Sequence, residues 1–313
     1  MAQQIFKSQH PILEACMNQG SSLQLAIAVH RAGGYASLSS WAYGTNFDQL
    51  QKDIDMFMKF TKSNRLHCNF EIRSIYSAKA CRDIVIKNAF PTMEIVYGNS
   101  NSAPAKDDIP DATVIEWLQP IHEAGVKIFR RIYEPMDKAT ADKHFIDGFC
   151  IKGLESAGFS GYTPVKELFL AQKELTPDAY LVPYGGVGTP EQVKEYIDLG
   201  AEIVAVGTLL ALSAESPIKQ ATKLAVINAK KEDLSEFNHT FRRNGDTEVV
   251  RKQTALKFKE FQGTDNVNHT ESLKYGLWKE DTDQGHIYAG HSIDKVTEVL
   301  PCKKIIQNLV AEL

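Results

Sequence analysis

Two short apolar runs in one stretch of the chain end in glycine. Tyr180 to Tyr184 runs into Gly185-Gly186, and Ile203 to Val206 runs into Gly207-Thr208. Glycine leaves the backbone N–H groups at a strand end accessible, and two such ends side by side make a cradle for a phosphate dianion. The segment between them reads as a short helix. Thr189 can cap it, Pro190 suits its first position, and Gln192 completes a capping box. Val193, Tyr196 and Ile197 give it one apolar face, and Gly200 can close it in a left-handed conformation. In an eight-stranded β/α barrel, the loops after strands seven and eight are the common phosphate site. An ordinary βαβ unit with glycines at its turns is the other reading of the same residues.

The elements that must position this cradle follow the same pattern along the chain. Strand candidates are Pro11 to Ala15, Tyr35 to Leu38, Leu66 to Ile72, Met93 to Tyr97, Val126 to Ile132 and Gly148 to Lys152, followed by the two runs above. Helical patterns separate them, from a cap at Ser21 or Ser22 to a stop at Gly33-Gly34, and at Phe47 to Lys62, Ser77 to Asn88, Ala112 to Ala124, Asp137 to His144 and Pro164 to Lys173. Strict alternation implies a parallel sheet. Eight βα units over about 210 residues fit a closed TIM (β/α)8 barrel better than an open sheet. The loop from Gly98 to Pro110 is rich in turn residues. Beyond Pro217 the pattern changes. Pro217 to Lys231 reads as a helix, Lys231 to His286 as charged helices without a clear strand, and Ile293 to Leu313 as a terminal amphipathic helix or two. The expected organisation is a barrel over 1–216, a helical appendage over its mouth at 217–290, and a C-terminal helix packing back on the barrel at 291–313.

The totals exclude several classes of function. With 43% hydrophobic and 24% charged residues, the 313-residue chain has material for a large core. Its net charge of −4 argues against nonspecific nucleic-acid binding and against an anionic membrane surface. There is no run of the roughly 20 apolar residues that a membrane span needs and no signal-type N-terminus, so a cytoplasmic protein is expected. The five cysteines are widely spread, with no ligand cluster of the zinc type. No metal is expected.

Taken in order, the motifs resemble the flavin-dependent nitronate monooxygenase family, whose relatives include enoyl-ACP reductase II. Pro11-Ile12 through Met17 is similar to the family's PI-x-x-APM, and Ala32-Gly33-Gly34 to its AGG. Asn69 stands where the family has an asparagine in a strand ending VNL. Gly153 to Gly161 lies on its G-x-E-A-G-G-H-x-G. Gly185-Gly186 and Gly207-Thr208 match its phosphate loops, and Gly285 to Gly290 resembles its C-terminal end. The resemblance implies a bound FMN. Gly185, Gly186, Gly207 and Thr208 would hold its phosphate, Asn69 would meet the ring edge, and Cys16, Met17 and Gly158 would lie beside it. Lys152, at a strand end, would place a positive charge near the ring, where it stabilises the anionic reduced form.

One departure matters. The family's histidine, which takes a proton from the carbon beside a nitro group, is Phe159 here, and the first of the two preceding glycines is Ala157. Phenylalanine exchanges no proton. Anionic nitronates need no such base, and a pocket lined by Phe159 favours a planar or hydrophobic substrate. Lys152 and His67 are the candidate catalytic residues, His67 because it shares strand parity with Asn69, although a buried core histidine explains it too. Tyr162 is a further acid candidate. His286 and His291 stay open, His30 falls outside the barrel, and Cys150 shares parity with Lys152. Three readings follow: an FMN-dependent oxidase of a nitronate or similar small substrate using O2, an NAD(P)H-dependent reductase of an activated double bond, or a flavin-binding protein without the family's activity. The implied partners are a small-molecule substrate and, for the reductase, NAD(P)H, in a monomer or homodimer.

Overall fold

The computed structural model describes residues 4–17, 20–44, 46–72, 75–97, 110–243, 247–257 and 286–313. Strand and helix alternate as β1 (Ile12–Glu14), α1 (Leu23–Arg31), β2 (Ala36–Ser39), α2 (Phe47–Thr61), β3 (Leu66–Ile72), α3 (Ile75–Lys87), β4 (Thr92–Tyr97), α4 (Asp111–Glu123), β5 (Lys127–Ile132) and α5 (Lys138–Lys143). Then β6 (Gly148–Lys152) leads through a two-residue strand, β7 (Gly158–Phe159), to α6 (Val165–Leu175). β8 (Tyr180–Tyr184), α7 (Pro190–Asp198), β9 (Val204–Val206) and α8 (Thr208–Ala211) complete the set. Most of the expected loop from Gly98 to Pro110 lies outside the described residues.

Eight of these strands form one sheet in the order β1-β9-β8-β6-β5-β4-β3-β2. The ends of that order meet. Leu13 bridges Tyr35 in parallel, the Tyr35 amide donates to the Ile12 carbonyl at 2.8 Å, and the Glu14 amide to the Tyr35 carbonyl at 2.9 Å. The sheet therefore closes into the β/α barrel that the alternation predicts.

Local chemistry fixes the helix ends. The Ser22 side chain caps α1 by accepting from the Leu25 amide, and Asn46 caps α2 through the Gln49 amide. The Thr189–Gln192 capping box forms at α7, with Pro190 in its first turn. Outside the sheet, Ile12, Leu38, Phe70 and Phe149 pack under the helices. Inside it, Leu13, Tyr35, Phe129, Cys150 and Val182 fill the barrel. Phe6 seals the end where the strands begin. Its ring lies 5.1 Å from Tyr35 and 5.3 Å from Phe129, and its amide donates to Glu202 Oε1 at 2.6 Å.

After the barrel come α9 (Gln220–Val226), β10 (Leu234–Arg243), β11 (Thr247–Lys257), β12 (His286–Ile287) and α10 (Cys302–Leu309). The reading of charged helices between Lys231 and His286 is corrected as far as Lys257, and its remainder, 258–285, lies outside the described residues. β10 and β11 pair antiparallel from Leu234↔Leu256 to Arg243↔Thr247, and β12 and β7 add to β11. Phe237, Thr240, Phe241, Val249 and Val250 favour extended backbone, but charged residues between them blur the period-two signal on which a strand assignment rests. The helix expected over Pro217 to Lys231 is shorter, because the backbone turns extended at Ile227 and Asn228 takes φ +69°, before a separate 3-10 turn at Lys231–Asp233. α10 buries Cys302, Ile305, Ile306 and Leu309 in the main core. Among the described residues, no helix is long and apolar enough to cross a membrane.

Candidate active site

The C-terminal ends of the strands bring the glycine loops together. Gly185 has φ +124°, and a Cβ there would lie 2.4 Å from Ser156 Oγ, so the loop after β8 sits flush on the loop after β6. Ser156 Oγ donates to the Tyr184 carbonyl at 2.6 Å and ties the same two loops. Gly207 opens directly into α8, whose first amides have no carbonyl of their own helix to bond. Thr208 Oγ1 accepts from the Gly290 amide at 3.0 Å and keeps its own hydrogen to donate.

Asn69, in the middle of β3, accepts from Ser39 Oγ at 3.3 Å through its Oδ1. Its Nδ2 is buried with no partner among the described residues. Lys152 ends β6, and its Nζ donates to the Ala157 carbonyl at 2.8 Å. Burial, with Arg131 nearby, pulls the Lys152 ammonium down to about 7. Cys16 is half-buried, its Sγ 3.5 Å from the His67 carbonyl, and Met17 packs against the barrel interior and the C-terminal core alike. A buried unpaired amide N–H, a cation of adjustable charge and glycine loops at two adjacent strand ends suit a ring with carbonyl acceptors joined to a phosphate.

Below this level lies a polar network that the sequence analysis did not identify. Arg131 of β5 is paired through Nε with Glu94 Oε1, and Tyr184 OH donates to Glu94 Oε2 at 3.0 Å. Burial alone would raise the Glu94 carboxyl, but Arg131 and the hydrogen bonds outweigh it and hold the group below the usual range. Arg131 Nη2 is buried without a partner among the described residues. The sequence signal was strand position: Glu94 is a lone charge inside β4, and Arg131 shares its parity with Phe129 in β5. Ligand atoms of Cys16, His67 and Glu94 lie within 4.8 Å of one another. Both Glu94 oxygens are already engaged, and the neighbouring guanidinium opposes a second cation.

The structure argues against His67 as a base. It is fully buried beside Phe6 and Phe129, with Nδ1 2.9 Å from Thr92 Oγ1 and Nε2 3.9 Å from Glu94. Burial lowers it to about 4, which leaves a neutral core imidazole. Cys150 Sγ, 3.9 Å from His67 Nε2, shares that interior, and burial raises its thiol. His30 packs edge-on against Phe57, outside the barrel. Tyr162 is 64% exposed, with Lys252 Nζ 5.5 Å from its ring centroid.

Phe159 lies in β7, which pairs with β11: Phe159↔Gln253 and Gly158↔Thr254. The Ser160 amide donates to the Lys252 carbonyl at 3.3 Å, and Ser160 and Thr254 hydroxyls lie 3.1 Å apart. The C-terminal segment closes over the same loop. The His291 amide donates to the Glu155 carbonyl at 3.0 Å, and a Cβ on Gly290 would lie 2.5 Å from that carbonyl oxygen. His286 is buried, its ring 5.3 Å from that of Tyr288. The strand pairing, which sequence periodicity did not reveal, brings the ribbon to the loop that carries Phe159.

Comparison with known proteins agrees with this fold. The family model for nitronate monooxygenase matches residues 1–312. A probable nitronate monooxygenase of Staphylococcus aureus is 22% identical over 272 residues, 74% of this chain and 72% of the relative. Among solved structures, FabK from Thermotoga maritima superposes with a TM-score of 0.77 at 20% identity, covering 98% of this chain and 94% of that one. A nitroalkane oxidase from Streptomyces ansochromogenes gives 0.76 at 18% identity, covering 98% and 96%. At such identities the solved structures share the fold.

Proposed function

Since this chain belongs to the nitronate monooxygenase family and is a flavin-dependent oxidoreductase, we propose that its flavin is FMN and that it oxidises a nitronate, or a similarly activated small anion, with O2. The observation that carries the reading is the pairing of Lys152, a cation, with Phe159, which removes the base from the loop that Lys152 Nζ holds through Ala157. When bound, the flavin supplies a two-electron acceptor.

The residues divide the remaining work. The loops at Gly185-Gly186 and Gly207-Thr208 bind the phosphate. Asn69 offers its unpartnered Nδ2 to an acceptor on the ring edge, and Cys16, Met17 and Gly158 bound the ring. Lys152 holds positive charge at the site, which attracts an anionic substrate and favours negative charge on the ring. The Arg131–Glu94–Tyr184 network fixes the charge beneath. His67 supports this floor as a neutral core residue. No group at position 159 removes a proton, so a neutral nitroalkane turns over about 10²–10⁴-fold more slowly than its nitronate.

A flavin absorbance scan of the purified protein, followed by oxygen uptake with a nitronate and with its neutral nitroalkane, tests this. Turnover confined to the nitronate is expected, with a gain on the neutral form in Phe159→His. A yellow protein that no nitronate reduces overturns the substrate assignment. Phe159 favours one second reading, NAD(P)H-dependent reduction of an activated double bond, because hydride delivery does not require the family's base. Anaerobic bleaching by NADH or NADPH would support that reading, and failure with both would remove it.

A further inference from the structure

The ribbon and the C-terminal segment place two polar side chains beside Phe159. In an antiparallel pair, directly opposed residues point to the same face. Gln253, opposite Phe159, therefore shares its face, whereas Thr254 shares the face of Gly158 and meets Ser160. Gln253 is 2% exposed. Tyr288 OH donates to Gln253 Oε1 at 3.3 Å. Gly158 has φ +63°, which breaks the strand's regular alternation, and the Tyr288 ring packs over it, 3.6 Å from a Cβ built there.

Tyr288 also sits at the barrel mouth. Two residues on, the Gly290 amide bonds Thr208 Oγ1 of the phosphate loop. Tyr288 and Met17 pack against the same C-terminal core. The segment thus runs from the phosphate loop to the glycine loop, and Tyr288 lies between them.

We propose that Tyr288 and Gln253 are the polar recognition pair of the substrate site, binding a carbonyl or nitro oxygen of a planar, apolar substrate that lies against Phe159. The assignment rests on the reading that position 159 faces substrate. The 3.3 Å phenol–amide contact is longer than the usual range for an O–H donor, so an incoming acceptor oxygen competes for the Tyr288 hydrogen at small cost. Burial pushes the Tyr288 phenol up to about 12, so it remains a donor at neutral pH. Phe159 and the tyrosine ring supply apolar surface, and the pair supplies orientation, the usual division in a small-molecule site. A histidine at 159 would act on the substrate's carbon, whereas this pair holds its oxygen.

Calorimetric titration of the purified full-length protein with acetophenone, nitrobenzene and toluene tests the pair. Heat reads binding whether or not flavin is present, and an absorbance spectrum of each sample reports the flavin separately. Failure of the flavin reading is thus distinguishable from failure of the pair. The wild type is expected to bind acetophenone and nitrobenzene about tenfold more tightly than toluene, the size of one good hydrogen bond to a buried donor. Tyr288→Phe should remove that preference and leave toluene affinity in place. Gln253→Glu should weaken it as well, because a carboxylate holds the tyrosine hydrogen firmly. Melting temperatures identify a variant that has not folded, and the other variant then carries the comparison. Equal wild-type affinity for the three ligands, or an undiminished preference in a folded variant, overturns the assignment.

Discussion

Lys152 is the residue on which charge at the site depends. Its ordinary value is 10.5, and burial with the Arg131 charge brings it to about 7. The ammonium is therefore lost from the folded protein as pH rises through about 7, while in the unfolded chain it persists to the ordinary lysine value. Between these limits the unfolded chain binds more protons, so this group's contribution to stability rises with pH. The charge that serves the reaction does the opposite. For turnover of a nitronate, kcat/KM reports groups of the free enzyme. It should fall above about pH 7 in the wild type. In Lys152→Met it should be lower at neutral pH and lack that inflection. A pH profile with the same inflection in the variant would remove Lys152 from the role. Asn69 shows the limit of reading residues singly. Its mid-strand position was legible, but its unpartnered Nδ2 shows only once Ser39 of the neighbouring strand is seen on its Oδ1.

The elements were legible where each carries its own boundary signals. α7 is the clearest case, because Thr189, Pro190 and Gln192 specify its start without reference to the rest of the fold. Removing the cap in Thr189→Ala should cost about 1 kcal/mol in a urea titration and leave the flavin bound. Gly185→Ala should behave differently. Its added Cβ would meet Ser156 Oγ at 2.4 Å from a backbone with φ +124°, so the β8 loop must move and flavin retention should fall. Equal flavin retention in the two variants would count against the phosphate role of this loop. The ribbon was not legible for the converse reason. β7 is two residues long, and its strand character comes only from pairing with Gln253 and Thr254, far away in sequence. No local window contains that information. The segment from His286 to Gly290 matched a family pattern, but its packing over Glu155 and Thr208 required the assembled barrel.

At the scale of the whole molecule, the barrel carries a buried ion pair across its interior. Glu94 on β4 holds Arg131 on β5 and receives the hydroxyl of Tyr184 from β8, so three strands meet at one carboxylate. Periodicity could place these residues inside the barrel but could not show that they find each other, because their pairing depends on closure. Arg131→Met would leave Glu94 buried without its cation, and such a loss costs about 3–5 kcal/mol. The sign of its pH dependence is fixed by the direction of the shift. In the wild type Glu94 is held below 4.5, so its contribution is present above that value and is lost as pH falls through the folded value. Without Arg131, burial dominates and raises the carboxyl above 4.5, so the variant recovers stability as pH falls toward that value. The gap between wild type and Arg131→Met in denaturant titrations should therefore be widest near pH 7 and narrow toward pH 5. The double variant Arg131→Met with Glu94→Gln, which removes the stranded charge, should recover much of the loss at pH 7. A gap that does not change with pH would mean that Arg131 acts through packing alone. The charge beneath the site would then have to come from Lys152 by itself.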